Sequence, residues 1–111
     1  MRQAIINSLD KLFSGSIDLI KITYYTPKSH DVIKFTMFGH EIREENGLIT
    51  VYDNSENNNQ MNPKIVNIDP LAVDDVTYDD NQNGSLGIFE RNVVVKMNDG
   101  SRIEMATMGM G

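Results

Sequence analysis

The feature that most constrains this chain is a two-residue alternation of apolar and polar side chains, which recurs along it. Residues 17–26 and 32–43 alternate in this way. Residues 93–97 are strongly β-branched, and an Asn-Asp-Gly turn at 98–100 separates them from a further apolar segment at 103–107. A period of two is typical of strands with one buried face. We therefore expect a mostly antiparallel sheet whose strands are joined by hairpins.

The rest of the chain contributes shorter elements and turns. The predicted elements are, in chain order, a turn at 26–31, a hairpin turn at 45–47, a strand at 48–52, a polar surface loop at 53–62, a strand at 65–68, one helical turn at 71–76 that Asp69 caps and Pro70 begins, and a frayed tail at 108–111. Gly39 interrupts the second strand, where it predicts a bulge or a sharp bend.

One segment has a different period. Its apolar residues recur every three or four positions, which predicts an amphipathic helix of about three turns; they are Ile5, Ile6, Leu9, Leu12 and Phe13. Gly15 predicts the end of that helix. We expect a single α+β domain over residues 1–111, in which the helix packs on a bent antiparallel sheet that curls into a small pseudo-barrel.

Composition and charge exclude several classes of protein. The chain has 111 residues, no cysteine and a formal net charge of −6, so it has no disulfide framework, thiolate metal site or cysteine nucleophile. Its net charge repels nucleic acid and anionic membranes, so binding to either requires a local basic face. The apolar runs are too short to span a membrane, and residues 1–13 lack a signal-peptide pattern. We expect a cytoplasmic protein.

The sequence offers little for catalysis. His30 and His40 are its two histidines, and no nucleophile elbow, phosphate loop or dinucleotide fingerprint accompanies them. We expect a protein that is not an enzyme and has no small-molecule substrate.

A twelve-residue run matches the calcium-loop pattern. Its oxygen donors are Asp79, Asn81 and Asn83 at positions 1, 3 and 5, Gly84 stands at position 6, and Glu90 stands at position 12. The residues that follow are valines, which are poor helix starters, although a calcium loop of this type leads into a helix. The two hypotheses are a calcium site and an ordinary polar loop between two strands.

A second set of residues predicts a binding surface. If Ile20, Ile22 and Tyr24 face the core together with Ile33, Phe35 and Met37, the opposite faces of the two strands carry a cationic and aromatic patch. Its members are Lys21, Tyr25, Lys34, Phe38 and His40. Aromatic rings beside lysines bind single-stranded RNA, by base stacking and phosphate contacts. The alternative is that Tyr25 and Phe38 pack under the helix and leave two ordinary solvated lysines.

A third set is acidic. Asp74, Asp75, Asp79 and Asp80 surround Val76 and Tyr78. Such a stripe of carboxylates can imitate a phosphate backbone and occupy a nucleic-acid-binding partner. The simpler interpretation is a solvated sheet edge that discourages aggregation.

Two stretches resemble a known family: residues 36–42, TMFGHEI, and residues 85–93, SLGIFERNV. With the chain length, the helix-first order and the strand content, they resemble the PrgU-like proteins, small products of Gram-positive conjugative plasmids encoded beside surface-adhesin genes. The resemblance implies a PUA-like fold, a small pseudo-barrel of SH3-like size often associated with RNA. It also implies a role in restraining adhesin production, assigns no functional residue, and makes residues 86–93 the entry to a barrel strand.

These observations predict a regulatory or binding protein whose partner is RNA or a protein of the expression machinery. A homodimer is also compatible with a helix-capped sheet that has exposed edges.

Overall fold

In the described part of the chain, the secondary structure is one α-helix followed by eight strands. The computed structural model describes residues 1–13, 19–27, 32–37, 39–53, 65–83 and 88–107, with the backbone alone at 39, 40, 53, 80–83 and 88–90. The elements are α1 (Arg2–Leu12), β1 (Ile20–Tyr25), β2 (Val32–Met37), β3 (Gly39–Glu45), β4 (Leu48–Asp53), β5 (Ile65–Ile68), a turn of 3-10 helix (Pro70–Ala72), β6 (Val73–Asn83), β7 (Ile88–Met97) and β8 (Arg102–Thr107).

The helix α1 forms where the spacing of apolar residues predicts it. Its Ile5, Leu9 and Leu12 are fully buried, and α1 packs mainly against β6 and β7. Ile6 and Phe13 complete the predicted stripe and are partly buried against the same core. The predicted helix is therefore confirmed, and the predicted stop at Gly15 lies outside the described residues.

Five strands form the larger sheet, in the order β2-β1-β8-β7-β6, and every neighbouring pair is antiparallel. The predicted hairpin between residues 93 and 107 is confirmed. At its turn, Gly100 has a φ of +93°, in the left-handed region that glycine adopts readily. The pairing of β1 with β8 joins segments that are about eighty residues apart in the chain and that no local pattern links.

Alternation along these strands sends one face of the sheet into the core. The buried residues of that face are Ile20, Ile22, Met37, Val93, Val95, Ile103 and Met105. Ile33 was expected to be buried with them but is 54% exposed. The reason is that β2 is the outermost described strand on this side of the sheet, so Ile33 has neighbours on one flank only.

Three further strands form a smaller antiparallel sheet, in the order β3-β4-β5. Residues 32–43, predicted as one strand, form β2 in the larger sheet and β3 in the smaller one, with a register shift between Gly39 and Glu41. The register shift is the irregularity predicted at Gly39, and the chain passes from one sheet to the other between Met37 and Gly39. The predicted tight turn after β3 is confirmed, with φ values of 54° at Asn46 and 80° at Gly47.

The two sheets do not close into a barrel, which corrects the expectation of a pseudo-barrel. In the part of the chain that the structure describes, β2 and β6 remain the outer strands of the larger sheet, because β3 leaves it rather than pairing onward. The core instead lies between the helix and both sheets, where Ile49, Val51 and Ile68 of the smaller sheet join the apolar residues of the larger one.

The smaller sheet is also connected to the helix by polar contacts. Arg2 donates a hydrogen bond to the Glu44 carboxylate at 3.1 Å and another to the Gly47 carbonyl at 3.0 Å. These contacts join the first turn of α1 to the β3–β4 hairpin. They lie at the surface, so their contribution to the free energy of unfolding is small.

The segment after β5 is more extended than predicted. Asp69 caps it as expected, because its carboxylate accepts a hydrogen bond from the Leu71 amide at 3.0 Å. The helical turn, however, ends at Ala72, and the residues predicted to continue it begin β6. Pairing with the valine-rich β7 favours this extended backbone over a second helical turn.

Some predictions fall on residues outside the described ranges. They are Gly15, residues 28–31 of the predicted turn, Phe38, residues 54–62 of the predicted loop, Gly84 of the calcium pattern, and the tail at 108–111.

Candidate nucleic-acid interface

The outer face of the larger sheet is the face opposite the helix and the core, and strand pairing fixes which residues share it. Three registered rows cross all five strands in the order β2-β1-β8-β7-β6. They are Val32–Tyr25–Arg102–Lys96–Asp75, Lys34–Thr23–Glu104–Val94–Thr77 and Thr36–Lys21–Ala106–Asn92–Asp79.

Three of the predicted interface residues lie together on this outer face. Lys21 and Tyr25 belong to β1, and Lys34 belongs to β2 opposite Thr23. Tyr25 is half-buried and contacts Arg102 on the outer face, so it does not pack beneath α1. The alternative in which the helix covers Tyr25 is therefore wrong.

The side chains of the other two predicted members, Phe38 and His40, lie outside what the structure describes. Phe38 lies outside the described residues. Residue 40 lies on β3, in the smaller sheet, and its backbone alone is described. The prediction grouped His40 with Lys34 because it treated residues 32–43 as one continuous strand, and the change of sheet breaks that alternation.

The outer face also contains two basic residues that the sequence pattern did not single out. Arg102 lies on β8 opposite Tyr25, and Lys96 lies on β7 opposite Arg102. The sequence did indicate that both side chains point away from the core, because Lys96 alternates with Val95 and Met97, and Arg102 precedes the apolar Ile103. What the sequence did not reveal is that β8 pairs with β1, which places these residues beside the predicted patch.

One end row of this face contains a stacked pair of side chains, Tyr25 and Arg102. The guanidinium carbon of Arg102 lies 4.1 Å from the centroid of the Tyr25 ring, a distance typical of a cation–π contact. Glu104 accepts a hydrogen bond from Arg102 Nε at 3.1 Å. Tyr25 and Glu104 therefore hold the Arg102 guanidinium in place. The Arg102 and Glu104 side chains remain 44% and 36% exposed, so a ligand can still reach the guanidinium.

The charges of the outer face are unevenly distributed. In the three rows, β2, β1, β8 and β7 carry Lys21, Lys34, Lys96 and Arg102 against the single carboxylate of Glu104. The three lysines are exposed, and within the described residues no ion pair forms at their ammonium groups. A chain with a net charge of −6 therefore presents a basic surface on four adjacent strands.

The acidic residues lie next to this basic surface, on β6. Asp75 and Asp79 occupy the last position of two rows, and both are exposed. Asp74 is exposed at the register shift that begins β6, and Asp80 is described by its backbone alone. Because β6 is the outer described strand on this side of the larger sheet, these carboxylates also discourage pairing with another strand.

The predicted calcium residues lie in a hairpin. Asp79, Asn81 and Asn83 follow one another on β6, and Glu90 lies on β7 opposite Asn81. Alternate residues of a strand are roughly 6.8 Å apart, so Asp79 and Asn83 are separated along the strand instead of curving around one point. Their backbone is that of paired strands, and calcium binding by this run stays a prediction. Among the residues whose side chains are described, no three His, Asp or Glu form a metal-binding group.

The smaller sheet contains a similar stack in acidic surroundings. The Arg43 guanidinium lies 4.5 Å from the Tyr52 ring centroid, and it pairs with Glu41 at 2.7 Å and with Glu45 at 3.6 Å. The hydrogen bond to Glu41, followed by the charge of that carboxylate, raises the pKa of Arg43. Tyr52 donates its own hydrogen bond to Glu45 at 3.1 Å. This arginine is neutralised by its neighbours, which makes it a reference for the stack on the outer face.

Comparisons with protein-family models, with curated proteins and with solved structures gave no match to this chain. No helix in the described part of the chain combines the length and the apolar character needed to cross a bilayer.

Proposed function

We propose that this protein binds single-stranded RNA on the outer face of its larger sheet and that it is a binding protein without catalytic activity. The observation that carries the proposal is that Lys21, Lys34, Lys96 and Arg102 share one face with Tyr25 on an otherwise acidic chain.

The chemistry of this face suits a single strand better than a duplex. Unpaired bases expose their π-faces, and an aromatic ring or a guanidinium plane can stack on them. Tyr25 and Arg102 offer such planes, while the exposed lysines provide contacts for the phosphates on either side. In a double helix the bases are stacked on one another, so their π-faces are closed to the Tyr25–Arg102 pair.

The net charge of the chain sets the expected strength of binding. The acidic surfaces repel RNA at long range, and salt screens exposed charges separated by more than about 10 Å at 0.1 M. Binding is therefore expected to be modest and to depend on the local basic face rather than on long-range attraction.

A regulatory role follows from the resemblance to the PrgU-like proteins. An RNA-binding protein that recognises an adhesin transcript would restrain the production of that adhesin, which is the role that the resemblance implies. This part of the proposal is supported by the sequence resemblance alone.

The test compares two tyrosines that each stack with an arginine. Binding of a fluorescein-labelled single-stranded RNA is measured by anisotropy at low salt for the wild type, for Tyr25→Leu and for Tyr52→Leu. Tyr25→Leu should weaken binding by about 1–3 kcal/mol, the usual contribution of one stacked base. Tyr52→Leu removes the matched ring on the other sheet and should leave the affinity unchanged. Equal losses in both variants, or no binding by the wild type, would contradict the proposal.

A further inference from the structure

The position of the acidic residues relative to the basic ones indicates how long an RNA segment this face can hold. The basic residues extend from Lys34 on β2 to Lys96 on β7. On the next strand, β6, the row that contains Lys96 ends at Asp75 and the row that contains Lys21 ends at Asp79. Basic surface therefore gives way to acidic surface between two adjacent strands.

From this boundary we infer that the outer face takes a short RNA segment of about four nucleotides that crosses β2, β1, β8 and β7 and ends before β6. The inference deepens the proposed function and rests on it. Neighbouring strands are about 4.8 Å apart, so the three intervals from β2 to β7 cover roughly 14 Å. With one nucleotide on each of the four strands, successive phosphates are about 4.8 Å apart, more than the roughly 3.4 Å of a duplex strand, so the bases are unstacked from one another and the length is about four nucleotides.

The direction across the strands follows from the placement of the basic and aromatic residues. Tyr25, Arg102 and Lys96 are consecutive members of one row, and this row runs perpendicular to the strands. Lys34 lies one row away, on the far side of β1, and extends the basic track to the outer strand β2. A segment that followed one strand would meet at most one of these basic residues.

The carboxylates of β6 limit the segment on one side. Asp75 lies directly opposite Lys96, and an exposed carboxylate at one strand spacing is well within the range of repulsion for a phosphate. A nucleotide placed beyond Lys96 would bring its phosphate to Asp75. On the other side the segment passes β2, the outermost described strand, and leaves the sheet.

The test is a length series of labelled oligouridylates, from dinucleotide to dodecanucleotide, measured by anisotropy with the wild type and with Asp75→Lys/Asp79→Lys. A longer oligouridylate can occupy the site in several positions, and the affinity is divided by the number of these positions. For the wild type, this corrected affinity should rise up to about the tetranucleotide and then stay constant within twofold. In the double variant the oligonucleotides longer than the tetranucleotide should bind more tightly than they bind to the wild type, and the shorter ones should not. For the dodecanucleotide bound to the double variant, the slope of log K against log salt should steepen by about 0.7 for each additional phosphate that the new lysines neutralise.

A charge-matched control separates a local effect from a change in net charge. Asp10→Lys/Glu44→Lys makes the same change in net charge on α1 and β3, away from the outer face. It should keep the wild-type plateau, and thermal unfolding of all variants checks that they are folded.

The outcomes separate the inference from the proposed function. If the corrected affinity of the wild type continued to rise up to the dodecanucleotide, the inference would be overturned and RNA binding would still stand. An equal increase in affinity in the control variant would also overturn it. Absence of binding at every length and at low salt would overturn the proposed function, and the inference with it.

Discussion

At the scale of single residues, the two arginine–tyrosine stacks differ in what surrounds them. Arg102 lies over Tyr25 with one carboxylate beside it, whereas Arg43 lies over Tyr52 between Glu41 and Glu45. The same pair of side chains therefore forms an accessible cationic site on one sheet and a neutralised cluster on the other. This difference is the reason that Tyr52 serves as the control for Tyr25.

Another residue with a distinct electrostatic environment is Asp99, in the turn between β7 and β8. Its carboxylate accepts hydrogen bonds from the Ser101 hydroxyl at 2.6 Å and from the Ser101 amide at 2.8 Å. These bonds, the hydroxyl first, lower the pKa of Asp99 below its ordinary value. A lowered pKa in the folded state means that the charged form stabilises the fold. The stabilisation is present above the ordinary aspartate pKa of about 3.9 and is lost as pH falls through the folded-state value.

We expect Asp99→Asn to lower the melting temperature at neutral pH, because the neutral amide accepts these hydrogen bonds less strongly than the carboxylate. The difference from the wild type should disappear in strongly acidic solution, where Asp99 is protonated in both states. Thermal unfolding followed by circular dichroism across that range measures it. Ser101→Ala should reduce the same pH dependence. A difference that stayed constant with pH would mean that the turn geometry, and not the charge, is responsible.

At the scale of single elements, local sequence predicts best where one pattern is sufficient. The helix stripe around Leu9, the strand at 65–68 and the turns at 45–47 and 98–100 all formed as predicted. The errors occurred where pairing partners decide the outcome. Residues 73–83 are rich in aspartate and asparagine, which are depleted in strands, and they became β6 because β7 pairs along their length.

The burial of the helix stripe gives a stability prediction. Leu9→Ala removes a fully buried side chain between α1 and the larger sheet, and should lower the free energy of unfolding by about 2–5 kcal/mol. Ile33→Ala changes a comparable side chain that is 54% exposed, and should cost less than about 1 kcal/mol. Chemical denaturation measures both values. Similar losses in the two variants would contradict the position of the core between the helix and the sheets.

The hairpin formed by β6 and β7 gives a prediction for calcium. We expect millimolar calcium to leave the melting temperature unchanged, because Asp79, Asn81 and Asn83 are spaced along an extended strand. A thermal-shift titration tests this, with magnesium as the control for ionic strength. A calcium-specific rise that Glu90→Gln abolished would contradict the expectation and support the calcium hypothesis.

At the scale of the whole molecule, the decisive feature is a pairing between distant parts of the chain. The pairing of β1 with β8 places Tyr25 opposite Arg102 and thereby joins the predicted patch to the C-terminal hairpin. Alternation predicted which face each residue occupies, but it carries no information about which strands are neighbours. Alternation was therefore sufficient to group Lys21, Tyr25 and Lys34 on one face. It could not add Lys96 and Arg102, which lie on strands that are distant in the chain. It also grouped residue 40 with Lys34, although residue 40 lies on β3 in the other sheet.

The open arrangement of the two sheets has a similar origin. Gly39 was interpreted as the corner of a barrel, and a register shift does occur there, but β3 belongs to a separate sheet. Whether a bent sheet closes depends on the pairing of its outer strands, and β2 and β6 do not pair with each other in the described chain. On this open sheet the side chains of Lys21, Lys34 and Lys96 are exposed.

The assignment of the outer face depends most directly on the electrostatic character of RNA binding. The deciding measurement is the affinity of the wild-type protein for a single-stranded RNA as a function of salt concentration, with Lys21→Gln in parallel. Four basic residues predict a slope of roughly −3 in a plot of log K against log salt, and the variant should reduce its magnitude by about 0.7. Binding whose strength did not change with salt, or a Lys21→Gln slope equal to that of the wild type, would contradict the assignment of this face.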